Sequence, residues 1–177
     1  MSSGLSVRIL NDLRKVFKVA REITLLFHFL GFGLLMTINV AGFILNGQYK
    51  KAADIQSKAI ILKSLRPIGL LSPLGMLVML VTGIGNMHAL GFGILDVGWL
   101  TAKIIFFAIA VISGILFGVK AAKRGKLVQE MSSGTHASNA QELLSAYDKQ
   151  ISLFYPVMMV LLLIILLLSI YGRLGGQ

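Results

Sequence analysis

The sequence has no cysteine, only three prolines and few charged residues for its length. The absence of cysteine excludes disulfides, thiolate metal sites and thiol redox chemistry. Charged residues make up 14% of the 177 residues and hydrophobic residues 56%, whereas a soluble domain is about 25% charged. The mean hydropathy of +0.83 points the same way. This composition excludes an ordinary soluble domain.

Four apolar stretches are long enough to cross a membrane, which takes about 20 residues at 1.5 Å per residue. They cover residues 23–45, 67–86, 99–119 and 151–171. Lipid offers backbone N–H and C=O groups no hydrogen-bond partners, so each stretch is expected to be a helix. We therefore predict an all-α fold in which residues 1–177 form a single domain, an integral membrane four-helix bundle.

The segment before the first span is basic and also periodically apolar. Apolar residues recur at helical spacing, with cations on the other faces; the apolar set is Leu5, Ile9, Leu13, Val16, Phe17 and Ala20. This pattern predicts an N-terminal amphipathic helix that lies in the membrane interface. Two alternatives are contact with a partner subunit and a simple extension of the first helix into water.

The net charge of +10 comes from 17 Lys and Arg against 7 Asp and Glu. The cations lie at helix ends and between spans, where they meet anionic lipid head groups, so the expected partner is the lipid bilayer and not nucleic acid. Segments 46–66 and 120–150 carry ten cations and the opposite side carries six, Arg8, Arg14, Lys15, Lys18, Arg21 and Arg173. The positive-inside rule then favours an N-out, C-out orientation, and we expect a bacterial-type inner membrane.

Ionisable residues within membrane helices are costly and indicate function. In a bundle of antiparallel neighbours, the start of helix one, the end of helix two and the start of helix three share one side. His28, His88 and Lys103 are then at one level, together with Trp99. If helix three begins early, Asp96, Trp99 and Lys103 also share a face.

This convergence predicts a cofactor site formed by His28, His88, Trp99 and Lys103. His28 and His88 are the candidate metal ligands, because imidazoles supply axial ligands to a b-type haem, and Lys103 would pair with a propionate. Small residues, namely Gly31, Gly33, Gly83 and Gly85, would allow close approach of either a macrocycle or a neighbouring helix.

Each of these residues also has an ordinary structural role. His28 can hydrogen-bond to another helix, Trp99 can anchor the helix at the interface, and Lys103 can extend its ammonium group to the head groups. Polar residues within the spans are expected to join helices by hydrogen bonds: Thr37, Asn39, Thr82, Asn86 and Ser113. No soluble-enzyme motif is present, and no residue is assigned as catalytic.

Short motifs between residues 23 and 125 resemble a known superfamily. They are Phe27-His28-Phe29-Leu30-Gly31, then Arg66, Ser72-Pro73 and Thr82-Gly83, and finally Trp99-Leu100-Thr101-Ala102-Lys103. The pattern is similar to the four-helix membrane proteins that include HemJ-type protoporphyrinogen oxidase and CopD-type copper-resistance proteins. The resemblance implies a functional histidine at His28. HemJ-type enzymes carry a second histidine further along helix three, where this chain has Ser113-Gly114.

The missing second histidine, the entirely apolar stretch 157–168 and the short loops favour a non-catalytic role. We expect an accessory integral membrane subunit of a larger redox or electron-transfer complex that retains a b-type haem site, with other membrane subunits as partners. The alternative is a stand-alone haem- or quinone-dependent membrane oxidoreductase of HemJ or CopD type. Metal transport has less support, and whether the chain is an enzyme stays open.

Overall fold

The chain forms four long helices joined by three short loops in a computed structural model. The backbone is described for residues 3–94, 96–135 and 138–175, and side chains from residue 15 onward apart from that of residue 173. The helices are α1 (Ser3–Lys51), α2 (Ile55–Leu90), α3 (Gly98–Ser132) and α4 (Ala140–Arg173). All four are long and apolar enough to span a membrane. The prediction of an all-α integral membrane four-helix bundle is confirmed.

The N-terminal segment is helical, but it is not a separate helix. It continues without interruption into the first span as part of α1, which agrees with the alternative of an extended first helix. The apolar face predicted from Leu5, Ile9 and Leu13 lies outside the described side chains.

Local sequence signals mark the ends of α2. The Asp54 carboxylate caps its start by accepting hydrogen bonds from the Ser57 N–H and hydroxyl, both at 2.8 Å. These bonds hold the pKa of Asp54 below its ordinary value, because they favour the charged form. At the other end Gly91 adopts a left-handed conformation, φ 69°. The Gly91 N–H then bonds to the His88 carbonyl and the Phe92 N–H to the Met87 carbonyl, a Schellman ending.

The helices pack as an up-and-down ring in which each contacts its sequence neighbours and α1 also contacts α4. Contacts between α1 and α2 run from Gly31 against Met79 to Tyr49 against Lys58, so the two helices are antiparallel. The rings of Phe117 and Phe154 stack at 3.7 Å between α3 and α4. The α1–α2 and α3–α4 pairs are the more extensive interfaces.

The predicted segments 46–66 and 120–150 are largely helical. All four helices extend beyond the predicted spans at this end, leaving only residues 52–54 and 133–139 between them. At 1.5 Å per residue, the 34 residues of α4 are about 51 Å long, against a hydrocarbon core of about 30 Å. We call the part formed by residues 46–66, 120–135 and 138–150 the headpiece. It has its own core of Tyr49, Val128 and Leu144.

The buried residues of α4 follow a seven-residue repeat. They are Ala140, Leu144, Ile151, Tyr155, Met158, Leu162 and Ile165. A spacing of alternating three and four residues keeps one narrow stripe facing the bundle, as in left-handed helix packing. In the membrane-spanning part, Met158, Leu162 and Ile165 pack with Ala110 of α3. The other faces of α4 carry exposed apolar side chains suited to lipid.

Candidate functional site

His28 lies at the interface of α1 and α2 and joins them by a hydrogen bond. Its Nδ1 is 2.9 Å from the Thr82 hydroxyl, and the ring is half-buried. The ring also approaches α2 at Gly83, where an added Cβ would be 3.6 Å from His28 Cε1. His28 and Thr82 therefore form the inter-helix hydrogen bond that was expected for polar residues in the spans.

The Thr82 hydroxyl determines which nitrogen of His28 carries the proton. A hydroxyl has one hydrogen, and Thr82 donates it to a carbonyl of its own helix, that of Val78. The Thr82 oxygen then accepts from His28, so Nδ1 carries hydrogen in the neutral ring. In metal-ligating histidines one ring nitrogen usually donates a hydrogen bond and the other binds the metal.

Glycines around His28 bring α1 and α2 together. An added Cβ at Gly31 would meet Val78 at 3.0 Å, Met79 at 3.2 Å and the Gly75 carbonyl at 3.4 Å. At Gly75 a Cβ would be 2.9 Å from Leu35, and at Gly85 it would be 3.4 Å from Thr24. These glycines were expected to allow close approach of either a macrocycle or a neighbouring helix. At Gly31 and Gly85 it is the neighbouring helix that approaches closely. Beside Gly33 the space is open.

The other predicted site residues lie at the same end of the bundle but in different settings. His88 is exposed on the last turn of α2, inside that helix and not beyond its end. It follows Thr82 by six residues, which places it about 120° around the helix from the face that holds His28. The indole of Trp99 packs on α4, where an added Cβ at Gly172 would meet it at 2.6 Å. Lys103 is half-buried near the start of α3.

Asp96 does not share a helix face with Trp99 and Lys103, because α3 begins only at Gly98. Its carboxylate accepts a hydrogen bond from the Gly93 N–H and closes the loop between α2 and α3. Thr101 reaches back to the same loop, with its hydroxyl 2.8 Å from the Ile94 carbonyl. The expectation that helix three begins early enough to align Asp96 with Trp99 and Lys103 is therefore wrong.

No group of three or more His, Asp or Glu side chains that could hold a metal ion occurs among the described residues. His136 lies outside them. Of the two candidate imidazole ligands, His28 is half-buried between helices and His88 is exposed. The packed flank at Gly31 and Gly75 has no room for the plane of a macrocycle. Joint ligation by His28 and His88, and pairing of Lys103 with a propionate, stay predictions.

A second polar cluster, at the opposite end of the bundle, was not predicted. Arg124 of α3 is only 2% exposed. Its Nη1 donates to the Asn46 side-chain oxygen of α1 at 2.9 Å and lies 3.4 Å from the Asp148 carboxylate of α4. The Tyr49 hydroxyl donates to the same carboxylate at 3.4 Å, and the Arg124 guanidinium lies 4.5 Å from the Tyr49 ring. We call Asn46, Tyr49, Arg124 and Asp148 the polar cluster.

The polar cluster ties α1, α3 and α4 together at the boundary between the membrane-spanning part and the headpiece. Lys58 of α2 lies next to it, with Nζ 5.3 Å from the Tyr49 ring centre. The Arg124 Nε is buried and has no hydrogen-bond partner. Asp148 keeps 25% of its side chain exposed. The carboxylate, the amide and the aromatic face together compensate for most, though not all, of the hydration that the buried arginine has lost.

A periodic signal in the sequence could have identified this cluster. Asp148 lies four residues after Leu144 and three before Ile151, on the buried stripe of α4. Asn39 and Asn46 occupy equivalent positions on α1, seven residues apart and both buried. By hydropathy, Arg124 and Asp148 fall in a segment between spans, where charge is ordinary, so a charged pair on inward-facing positions was not predicted.

Comparison with protein-family models, with curated proteins and with solved structures finds no match to this chain. The resemblance to HemJ-type and CopD-type proteins therefore stays a prediction based on short motifs.

Proposed function

We propose that this protein is an accessory integral membrane subunit that docks onto a larger complex through the projecting start of α1. The observation that supports this role is the length of α1 beyond the bundle. Thr24 packs beside Gly85, and α2 ends five residues later at Leu90. The end of α2 is thus level with about residue 19 of α1, and roughly 16 residues, about 24 Å of helix, extend further.

The described part of this extension combines apolar and basic side chains. Residues 15–19 are all exposed, and Val16, Phe17 and Val19 are among the exposed large hydrophobic residues. Lys18 adds positive charge on the same segment, and the exposed Arg21 follows directly after it. Exposed aromatic and aliphatic residues next to cations suit a partner membrane protein with an apolar and acidic surface at this side of the bilayer.

A pair of matched variants tests this role. Phe17 and Leu70 are both 71% exposed, but Phe17 lies on the extension and Leu70 within the second span. We expect Phe17→Ser to release the protein from a complex extracted in mild detergent, and Leu70→Ser to leave the complex intact. Native gel electrophoresis with quantified subunits measures this, and carbonate extraction confirms that both variants remain in the membrane.

The accessory role is supported if a second polypeptide is present in fixed stoichiometry with this chain and is lost only with Phe17→Ser. A particle that contains only this chain, as a monomer or as copies of itself, would contradict the accessory role. Equal retention of the partner by both variants would show that the extension is not the docking element.

The second candidate function is a haem- or quinone-dependent membrane oxidoreductase, favoured by the His28–Thr82 hydrogen bond. Because Thr82 fixes the proton on Nδ1, Nε2 of His28 is the nitrogen that would ligate haem iron or accept a hydrogen bond from a quinol. The electron-transfer setting proposed for the accessory subunit rests on this same histidine and on the resemblance described above. A bound haem would supply one-electron chemistry.

Absorbance spectroscopy after expression with added haem, together with quinone extraction, tests this candidate. We expect His28→Ala to abolish a reducible Soret band or the bound quinone. Thr82→Val should reduce the amount of haem or quinone that stays bound, because His28 would lose the partner that fixes its tautomer. Thr37→Val is the control, since Thr37 is an exposed threonine on α1. A wild-type protein that carries neither haem nor quinone rules this candidate out and removes the support for an electron-transfer setting, but it leaves docking as an accessory subunit unaffected.

A further inference from the structure

Two neighbouring cavities follow one another along the contact line of α3 and α4, and we call the two together the groove. Its inner part has a volume of about 200 Å³ and is lined by Ser113, Leu116, Phe117, Lys120, Gln150, Ile151 and Phe154. Its outer part, about 170 Å³, is lined by Lys123, Lys126, Leu127, Glu130, Leu143 and Tyr147. The lining residues of the two parts recur at seven-residue intervals, as in 113, 120 and 127 on α3, so both lie on one face of the helix pair.

The groove changes from apolar to cationic at the membrane boundary. The predicted third span ends at residue 119 and the fourth begins at 151. Leu116, Phe117 and Phe154 are therefore at hydrocarbon depth, and Lys120 is the first residue beyond it. The stacked rings of Phe117 and Phe154 form a fixed apolar wall. An occupant of the inner part comes from the bilayer and is apolar where it meets these rings.

Beyond the boundary, three lysines follow one another along the groove. Lys120, Lys123 and Lys126 are all exposed and are spaced by three residues, so they lie on adjacent turns of α3. Lys126 has a weak, exposed ion pair with Glu130 at 3.7 Å. The nearest acid on the buried side, Asp148, is bound to Arg124 and Tyr49. The charge at the groove's polar end is thus positive and outward-facing.

We infer that this groove is a binding site for an anionic phospholipid, which places an acyl chain along Phe117 and Phe154 and its phosphate against Lys120 and Lys123. Apolar contact below the boundary and cations directly above it match the two halves of such a lipid. A free phosphate ion would use the lysines but not the aromatic wall. A partner helix would cover the wall but would not need the lysines.

Native mass spectrometry of the detergent-solubilised protein tests the site. The probes are phosphatidylglycerol, phosphatidylcholine with the same acyl chains, and inorganic phosphate. We expect preferential phosphatidylglycerol adducts that fall about fivefold with Lys120→Gln and again with Lys123→Gln, since each lysine near a head group contributes about that factor. Leu116→Trp, which fills the apolar part, should reduce adducts of the same lipid. Lys63→Gln, an exposed lysine on α2, should have no effect.

Equal adducts with both lipids would overturn the inference, as would an equal loss with Lys63→Gln, which would indicate general surface charge. Adducts of inorganic phosphate that compete with phosphatidylglycerol and are insensitive to Leu116→Trp would show an anion site instead. A bound second protein that excludes lipid from the groove would show a protein interface.

Discussion

At the scale of single residues, the least expected feature is an arginine buried in a chain that has few acids to pair it with. Arg124 binds Asp148, one of only seven acidic residues. The remaining contacts of its guanidinium are neutral: the Asn46 amide oxygen and the Tyr49 ring. Removal of either charge would leave the other without its partner inside the bundle, so the two residues are expected to depend on each other.

We predict that Arg124→Met lowers the free energy of unfolding by about 2–3 kcal/mol, because it leaves Asp148 charged and partly buried. The double variant Arg124→Met with Asp148→Leu should recover most of this loss, since no charge is then left unpaired. Thermal unfolding in detergent of the two single variants and the double variant measures the coupling. Additive losses would show that the pair does not interact.

At the scale of helices, packing depends on small residues at particular crossing points. Gly42 of α1 faces the ring of Tyr155, and a Cβ there would overlap that ring. Tyr155 cannot easily move away, because its ring lies edge-on to Phe117 and Phe154. Its carbonyl also accepts a hydrogen bond from Asn39 at 3.3 Å. Gly42 therefore sets how closely α1 approaches α4.

Replacement of Gly42 by Ala should cost about 1–3 kcal/mol through overpacking. Gly47→Ala, on the same helix with no atom within 4 Å of the added Cβ, should be neutral or slightly stabilising because alanine favours the helix. Melting temperatures of the two variants in the same detergent provide the comparison. Equal effects would mean that helix propensity, and not the α1–α4 contact, governs this region.

At the scale of the whole molecule, topology follows from the ring of four antiparallel helices. Residues 55 and 135 lie at the headpiece end and residue 92 lies at the opposite end. Because the chain has no cysteine, single cysteines at these positions can be labelled in an otherwise unchanged protein. We expect an impermeant maleimide to label position 92 in intact cells and positions 55 and 135 only after permeabilisation, given N-out, C-out insertion.

Labelling of 92 together with 55 would contradict the four-span fold. Labelling of 55 and 135 from outside, with 92 protected, would reverse the orientation and keep the fold. The two outcomes are distinct because all ten cations of the headpiece lie on one side of the membrane-spanning part. Reversed labelling would move the whole headpiece to the outside, whereas labelling of 92 together with 55 is incompatible with the fold.

The amino-acid sequence alone is enough to predict four spanning helices and which of their ends share a side. Composition and the length of the apolar runs suffice, because lipid leaves the backbone no alternative to the helix. It also predicted that His28 and Thr82 are helix-joining residues or site residues, since polar groups in spans need partners. The apolar runs alone underestimate the helices at the headpiece end, where α3 for example continues 13 residues further, from 119 to 132, because amphipathic helix outside lipid has no hydropathy signal of comparable strength.

What each inward-facing position contacts follows from the packing of the helices and not from hydropathy. Gly31, a candidate neighbour for a macrocycle, meets the side chains of α2. Arg124, counted among the loop cations, lies inside the bundle with Asp148. Hydropathy averages over a helix, whereas burial depends on which faces meet when four helices pack. Which faces meet is determined by the shapes of the helix surfaces and by hydrogen bonding between residues far apart in sequence.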